Sequence, residues 1–223
     1  MTENNQYLLD LHQRRAPTLE NFVSGRNGEV VKVFRELRRG VGPQFVYIYG
    51  PVGVGVTHLL TSLDAYQDGR RVPEFKPGET LYIVDDVDSL DPGWAQQLLI
   101  LQNEVRRHPE ARLVCGGKEP IAQLDLPEGV KSRLGWGLSY AIEPLDEEER
   151  FAELERQARD RGIDISQEMQ AWMASHLPRD MSTLLSVLDE ADRLALARHR
   201  RLTLPLLREA VDIIEAALGG SAR

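Results

Sequence analysis

Phe45-Val-Tyr-Ile-Tyr49-Gly50-Pro-Val-Gly53-Val-Gly55-Val56-Thr57-His58 is the stretch on which the reading of this chain turns. A run of aromatic and β-branched residues ends in glycines and leads at once into a helical pattern. This is the order of a buried strand, a tight turn and a helix. Gly50, Gly55 and Thr57 match the spacing G-x-x-x-x-G-K-[ST], whose glycines let backbone N–H groups wrap a phosphate at a helix N-terminus. Val56 stands where that pattern has its lysine. The amide nest is retained, whereas the point charge that meets the β- and γ-phosphates is missing. A glycine-rich strand-to-helix turn without ligand chemistry is the alternative reading of the same residues.

The next informative stretch lies about thirty residues on, where Leu81-Tyr-Ile-Val-Asp85-Asp86 reads as a buried strand ending in two carboxylates. In a phosphate-binding context Asp85 is the residue expected to hold magnesium through water. Asp86 then stands where a base or water-positioning residue belongs. Turn chemistry with Asp88 and Ser89 is the bland reading. The glycine loop at the proper distance upstream favours a nucleotide site, with Gly50, Gly53, Gly55, Val56, Thr57, His58, Asp85 and Asp86 as its candidate residues. Thr57 and Asp85 are the expected magnesium ligands. Without the lysine, ADP is expected to bind weakly at best, and magnesium only with nucleotide.

Two more short runs read as strands, at 112–115 and 139–142. Helical patterns separate them, over 28–39 and over 94–107, where Trp94, Leu98, Leu101 and Val105 share a face. Strands alternating with helices imply a parallel sheet covered on both sides. Beyond Pro144 the texture changes to helices over 146–161, 166–176, 180–199 and 203–217, with an apolar stripe of Met181, Leu184, Leu185, Leu188 and Ala191. Asp180 is an expected N-cap. The chain therefore divides into a flexible tail at 1–21, an α/β domain at 22–144 and a small helical bundle at 145–223.

Composition narrows the function class. The 223 residues carry 42% hydrophobic and 28% charged side chains, ordinary for a globular protein, and a net charge of -8. An acidic balance argues against a dedicated nucleic-acid binder. No apolar run reaches the length of a membrane span and no signal peptide is visible, so a cytoplasmic location is expected. The single cysteine, Cys115, excludes a disulfide framework, and the five histidines show no metal-ligand spacing.

Several stretches together resemble the DnaA/Hda family of AAA+ proteins. Leu19-Glu-Asn-Phe22-Val-Ser-Gly25-Arg-Asn27 is similar to the family's leading segment. Lys131-Ser-Arg133-Leu-Gly-Trp136-Gly137-Leu138 is similar to its arginine-finger box and is the most specific stretch in the chain. Arg179-Asp-Met181-Ser-Thr-Leu184 with Thr203-Leu-Pro205 looks like its lid, and the likeness runs from about Gln6 to about Ile214. The resemblance implies an AAA+ parallel-sheet nucleotide-binding domain followed by a helical lid.

It also implies a role for the N-terminus. Gln6-Tyr-Leu-Leu9-Asp-Leu11 resembles the hexapeptide by which regulatory members dock on the DNA polymerase III sliding clamp (beta subunit), with Gln6, Leu9 and Leu11 as the contacts. The helix-turn-helix module that the initiator carries beyond its lid is not expected, nor is sequence-specific DNA binding. Arg133 is the expected arginine finger, offered in trans to ATP bound by DnaA. The implied function is negative regulation of replication initiation by a chain that is not an autonomous ATPase, with a homo-oligomer allowed.

Departures from the family pattern fall on the receiving side. Val56 replaces a basic residue, Gly117 stands at the sensor 1 position, and Ser182 stands where the lid has an arginine in DnaA. The segment 58–79 is short, consistent with a trimmed strand-helix unit. The alternatives are a weak AAA+ ATPase that loads or remodels a replication protein, and a nucleotide-free adaptor. The bland reading of Arg133 is a structural ion pair with a local carboxylate such as Glu143.

Overall fold

The computed structural model describes residues 16–219 apart from residue 179. The chain divides into two compact units, which part between Pro144 and Leu145. The first contains α1 (Gly28–Arg38), β1 (Phe45–Tyr49), α2 (Val56–Thr61), β2 (Leu81–Val84), α3 (Pro92–Arg107), β3 (Arg112–Gly117), α4 (Glu128–Leu134) and β4 (Leu138–Ala141). Its four strands are all parallel in the order β2-β3-β1-β4.

The strand alternation decides which helices cover which face. Phe45 and Tyr47 of β1 point to one side with Tyr82, Val84, Leu113 and Cys115, where Leu98, Leu101 and Val105 of α3 and Val130 and Leu134 of α4 close the core. Val46 and Ile48 point the other way with Leu81 and Val114, against Val30, Val33, Phe34 and Leu37 of α1 and Leu59 and Leu60 of α2. A sheet buried on both faces needs apolar residues at successive positions, which is why FVYIY reads as a continuous run. Burial pushes the Cys115 thiol pKa far up, so that it behaves as a small core residue.

Two differences from the sequence reading concern the edges. Residues 16–21 belong to the α/β unit rather than to a tail. Leu19 is buried in the α1/α2 core, and Thr18 and Asn21 exchange hydrogen bonds of 2.8 and 3.1 Å between backbone and side chain. One apolar side chain with a core to enter outweighs the polar composition around it. In the short segment after α2, the only pairing with the sheet is an isolated parallel bridge of Tyr66 with Tyr82. Val72 is buried there and Phe75 stacks on Tyr82 at 5.6 Å, so side chains rather than a fifth strand cover that edge.

Asn27 closes the unit on itself. Its amide donates to the Glu143 carbonyl at 2.9 Å, and its side-chain oxygen accepts from the Glu143 N–H at 2.8 Å. The chain thereby ties its leading segment to its last residues before Pro144.

The second unit holds α5 (Glu147–Asp160), α6 (Gln167–His176), α7 (Met181–Ala197) and α8 (Leu204–Gly219). Leu184, Leu188 and Ala191 of α7 are buried among Leu154, Met173, Leu207 and Ala210, with Met181 and Leu185 packed alongside. Caps set the helix starts. Asp146 and Glu149 form a reciprocal capping box on α5, and Asp180 accepts from the Thr183 N–H at 2.8 Å and from its hydroxyl at 2.7 Å. Among the described residues no helix is long and apolar enough to cross a membrane. Asp180→Ala is expected to destabilise the helical unit by about 1 kcal/mol, visible as a lower urea midpoint by circular dichroism at unchanged slope.

Candidate functional site

Parallel pairing gathers the C-terminal ends of the strands on one edge, and the candidate nucleotide residues lie there. Gly50 follows β1, Asp85 and Asp86 follow β2, and Gly117 ends β3. Gly53 and Gly55 take left-handed backbone, with φ of 88° and 107°, so the loop turns as a phosphate nest does. The Thr57 hydroxyl donates to Asp85 Oδ2 at 2.7 Å, while Asp85 Oδ1 accepts from the Asp86 N–H at 2.8 Å. The structure thus brings together the hydroxyl and the carboxylate expected to share a magnesium ion.

The charged part of the site is arranged differently. Val56 is only 9% exposed and packs in the core against Gly116, where an added Cβ would lie 2.9 Å from its Cγ1. His58 meets the Thr18 carbonyl at 2.9 Å through Nε2, and its ring packs edge-on against Phe22 at 5.4 Å. The Phe22 ring also lies against Gly55, close enough that a Cβ there would come within 2.7 Å of it. Phe22 and His58 therefore clamp the leading segment onto the glycine loop.

Asp86 is exposed in a left-handed conformation, φ 49°, and its Oδ1 lies 3.7 Å from Lys118 Nζ. Lys118 also lies 3.4 Å from Asp88 Oδ2, and its N–H donates to Asp88 Oδ1 at 2.7 Å. Asp88, with Asp86 behind it, holds the Lys118 ammonium pKa above its ordinary value.

Gly117 has a steric reason to be glycine. A Cβ there would stand 2.5 Å from Tyr47 Oη and 2.8 Å from Asp88 Oδ1. The buried Tyr47 donates its hydroxyl to the Glu119 carbonyl at 2.6 Å and fills the space a sensor side chain would need. Phe22, Tyr47 and Lys118 went unnoticed as site residues in the sequence reading. The one available signal was the pair of hydroxyl-bearing side chains, Tyr47 and Tyr49, in an otherwise apolar strand.

The residues present fit a nucleotide in part. Backbone N–H groups and the Thr57–Asp85 pair suit a phosphate and its magnesium, but Val56 supplies no charge and Lys118 is turned to carboxylates. Among the described residues no group of three or more histidine, cysteine or acidic side chains could hold a metal alone. The side chain of Ser182 lies outside the described residues, as do Gln6, Leu9 and Leu11.

Arg133 lies at the other edge. It lies in the last turn of α4, just before β4 begins beside the start of β1, where Val46 pairs with Leu138 and the Phe45 ring packs edge-on against Trp136 at 5.4 Å. β1 separates this edge from Gly50 by five residues, about 16 Å of strand. Arg133 Nε donates to Asn103 Oδ1 at 2.9 Å, Nη1 donates to the Gly129 carbonyl at 2.8 Å, and the guanidinium carbon sits 5.2 Å from the Trp136 ring centroid.

The ion pair with Glu143 does not form: Glu143 follows the far end of β4, where its backbone is held by Asn27 and its carboxylate lies 3.8 Å from Arg26. Among the described residues every partner of Arg133 is neutral, so the guanidinium is oriented without its charge being cancelled, and the residue is half-buried.

Gly117→Ala is expected to lower stability by about 1–3 kcal/mol through overpacking against Tyr47 and Asp88. Urea unfolding of the single variant and of the same change in a Tyr47→Phe background should show a smaller loss in the second.

Residues 146–211 match the family model described as the Hda lid domain. The fold is similar to domain III of the replication initiation protein DnaA from Thermotoga maritima, at TM-score 0.68 and 18% identity over 89% of this chain and 96% of that one. AMPPCP-bound DnaA from Aquifex aeolicus is similar at TM-score 0.56 and 24% identity, over 72% of this chain and 59% of that one. The Thermotoga maritima RuvB Holliday junction branch migration motor shares the architecture at TM-score 0.64 and 13% identity, over 89% and 72%. Residues 146–211 thus match an Hda lid domain, and the chain shares the AAA+ fold of DnaA domain III and of RuvB.

Proposed function

We propose that the protein is a negative regulator of replication initiation that supplies Arg133 in trans to ATP bound by DnaA. The observation carrying this reading is the position and state of that arginine. It stands at the sheet edge opposite its own glycine loop, half-buried and held, among the described residues, by neutral acceptors. About 16 Å of parallel strand keeps the guanidinium from its own loop, so a triphosphate it serves belongs to another molecule. A positioned cation that meets charge developing on the γ-phosphoryl group needs no reorganisation at the moment of reaction. In that reaction water attacks the γ-phosphorus, the bond to the β–γ bridging oxygen breaks, and the partner retains ADP.

The protein's own loop supports a lesser role. With Val56 buried and Lys118 paired to Asp86 and Asp88, weak ADP binding with magnesium is the most its residues favour, and no step of the reaction runs through it. Docking on the sliding clamp rests on Gln6, Leu9 and Leu11 in the sequence. A tether of that kind raises the effective concentration near DnaA on DNA, and a cytoplasmic setting follows from the same reading.

The test is turnover of DnaA-bound ATP in the presence of DNA-loaded clamp. Arg133→Ala should lower the stimulated rate by about a thousandfold, up to complete loss of stimulation, with melting temperature and clamp binding retained. Arg133→Lys should rescue little, since an ammonium lacks the planar fork. Unchanged turnover in Arg133→Ala would exclude the finger role.

A further inference from the structure

Trp136 is 39% exposed, a large apolar surface to leave in water, and its ring is held on several sides. Phe45 packs edge-on from the sheet at 5.4 Å, and the guanidinium carbons of Arg133 and Arg106 lie 5.2 and 5.3 Å from the same ring centroid. Two residues on, Leu138 is 43% exposed at the start of β4, an edge strand paired on one side only. Fixing an indole in advance lowers the entropy a partner must remove on binding.

Charge at this place is unbalanced. The nearby carboxylates are taken, Glu104 by Arg107 at 2.7 Å and Glu128 by Lys131 at 2.6 Å. Neither Arg106 nor Arg133 has a carboxylate partner among the described residues. Both sit in the last turn of a helix, where the carbonyl end of the dipole offsets part of their repulsion. No carboxylate among the described residues supplies their counter-charge.

We infer that Trp136 and Arg106 form the anchor of the seam across which Arg133 acts. The indole enters an apolar recess, and Arg106 pairs with a carboxylate, both on the AAA+ subunit whose ATP receives Arg133. This rests on the function proposed above and adds a division of labour to it: Arg133 sets the rate, whereas Trp136 and Arg106 set the affinity. Apolar Trp136 and Leu138 beside the two cations, on a chain of net charge -8, fit a protein face with carboxylates better than a phosphate backbone. Exposed tryptophan and arginine are also the side chains on which binding energy concentrates in interfaces.

The experiment measures single-turnover hydrolysis of DnaA-bound ATP on DNA-loaded clamp as the concentration of the full chain is varied. Arg106→Glu should raise the half-saturating concentration about tenfold or more, with the plateau rate within about twofold of the parent, and Trp136→Ala should raise that concentration as well. Arg133→Ala should lose the plateau at every concentration. Arg106 is exposed, so its variant keeps the fold, and the thermal midpoint verifies this; Trp136→Phe should recover most of the affinity.

An unchanged half-saturating concentration in Arg106→Glu overturns the anchor, as does a fallen plateau without a shift in concentration. Weakened binding to DNA alone, with the titration unchanged, overturns it in favour of a nucleic-acid surface. Failure of the function itself reads differently, as full turnover in Arg133→Ala.

Discussion

The polarity of a parallel sheet is the constraint on which the rest of this protein depends. Because β1 pairs in parallel with both β3 and β4, every strand enters at one edge and leaves at the other. The glycine loop, Asp85 and Gly117 emerge together where strands end, while Arg133 and Trp136 sit where β4 begins. The backbone of β1 is therefore a fixed spacer between the two. A residue placed at one edge is separated from the other by the length of a strand, about 16 Å.

The two edges have been treated differently by side-chain packing. On the loop edge, space and charge are consumed internally: Tyr47 fills the position above Gly117, Val56 is buried, and Lys118 answers Asp86 and Asp88. Backbone geometry, which depends on glycines and strand pairing, persists there without the side chains that would use it. On the opposite edge the described residues leave charge uncancelled. Asn103 and the Gly129 carbonyl orient Arg133 with neutral oxygens, and an indole lies beneath it. Neutral acceptors orient a guanidinium at little electrostatic expense, and a carboxylate would have removed the charge it offers.

Physical reasons separate what was legible in the sequence from what was not. Strand and helix periodicity located the four strands, α1, α3 and the four helices of the second unit within a few residues, because buried faces impose periods of 2 and 3.6 on the chain, whereas the seven-residue α4 was not read. FVYIY was readable as a strand covered on both faces, and the loss of lysine at Val56 was visible by spacing alone. Composition misled at residues 16–21, where Leu19 enters the core despite polar neighbours. It also gave no sign that Phe22 and His58 would meet over Gly55, since nothing in a local pattern says which distant ring will pack on a glycine.

Residue types, their order and their spacing were thus determined by the sequence: a phosphate-type loop without its cation, an acidic strand end, and an arginine before the last strand. Only the tertiary structure decided that Arg133 answers to Asn103, Gly129 and Trp136 rather than to Glu143, and that Tyr47 closes the space at Gly117. Those partners lie on other elements or come close only through the packing of α3, α4 and β1, and such contacts exist once the core has set the positions of all three. Spacing along a chain reports what a local segment is able to form; which charges remain uncompensated is settled by what the fold brings beside them.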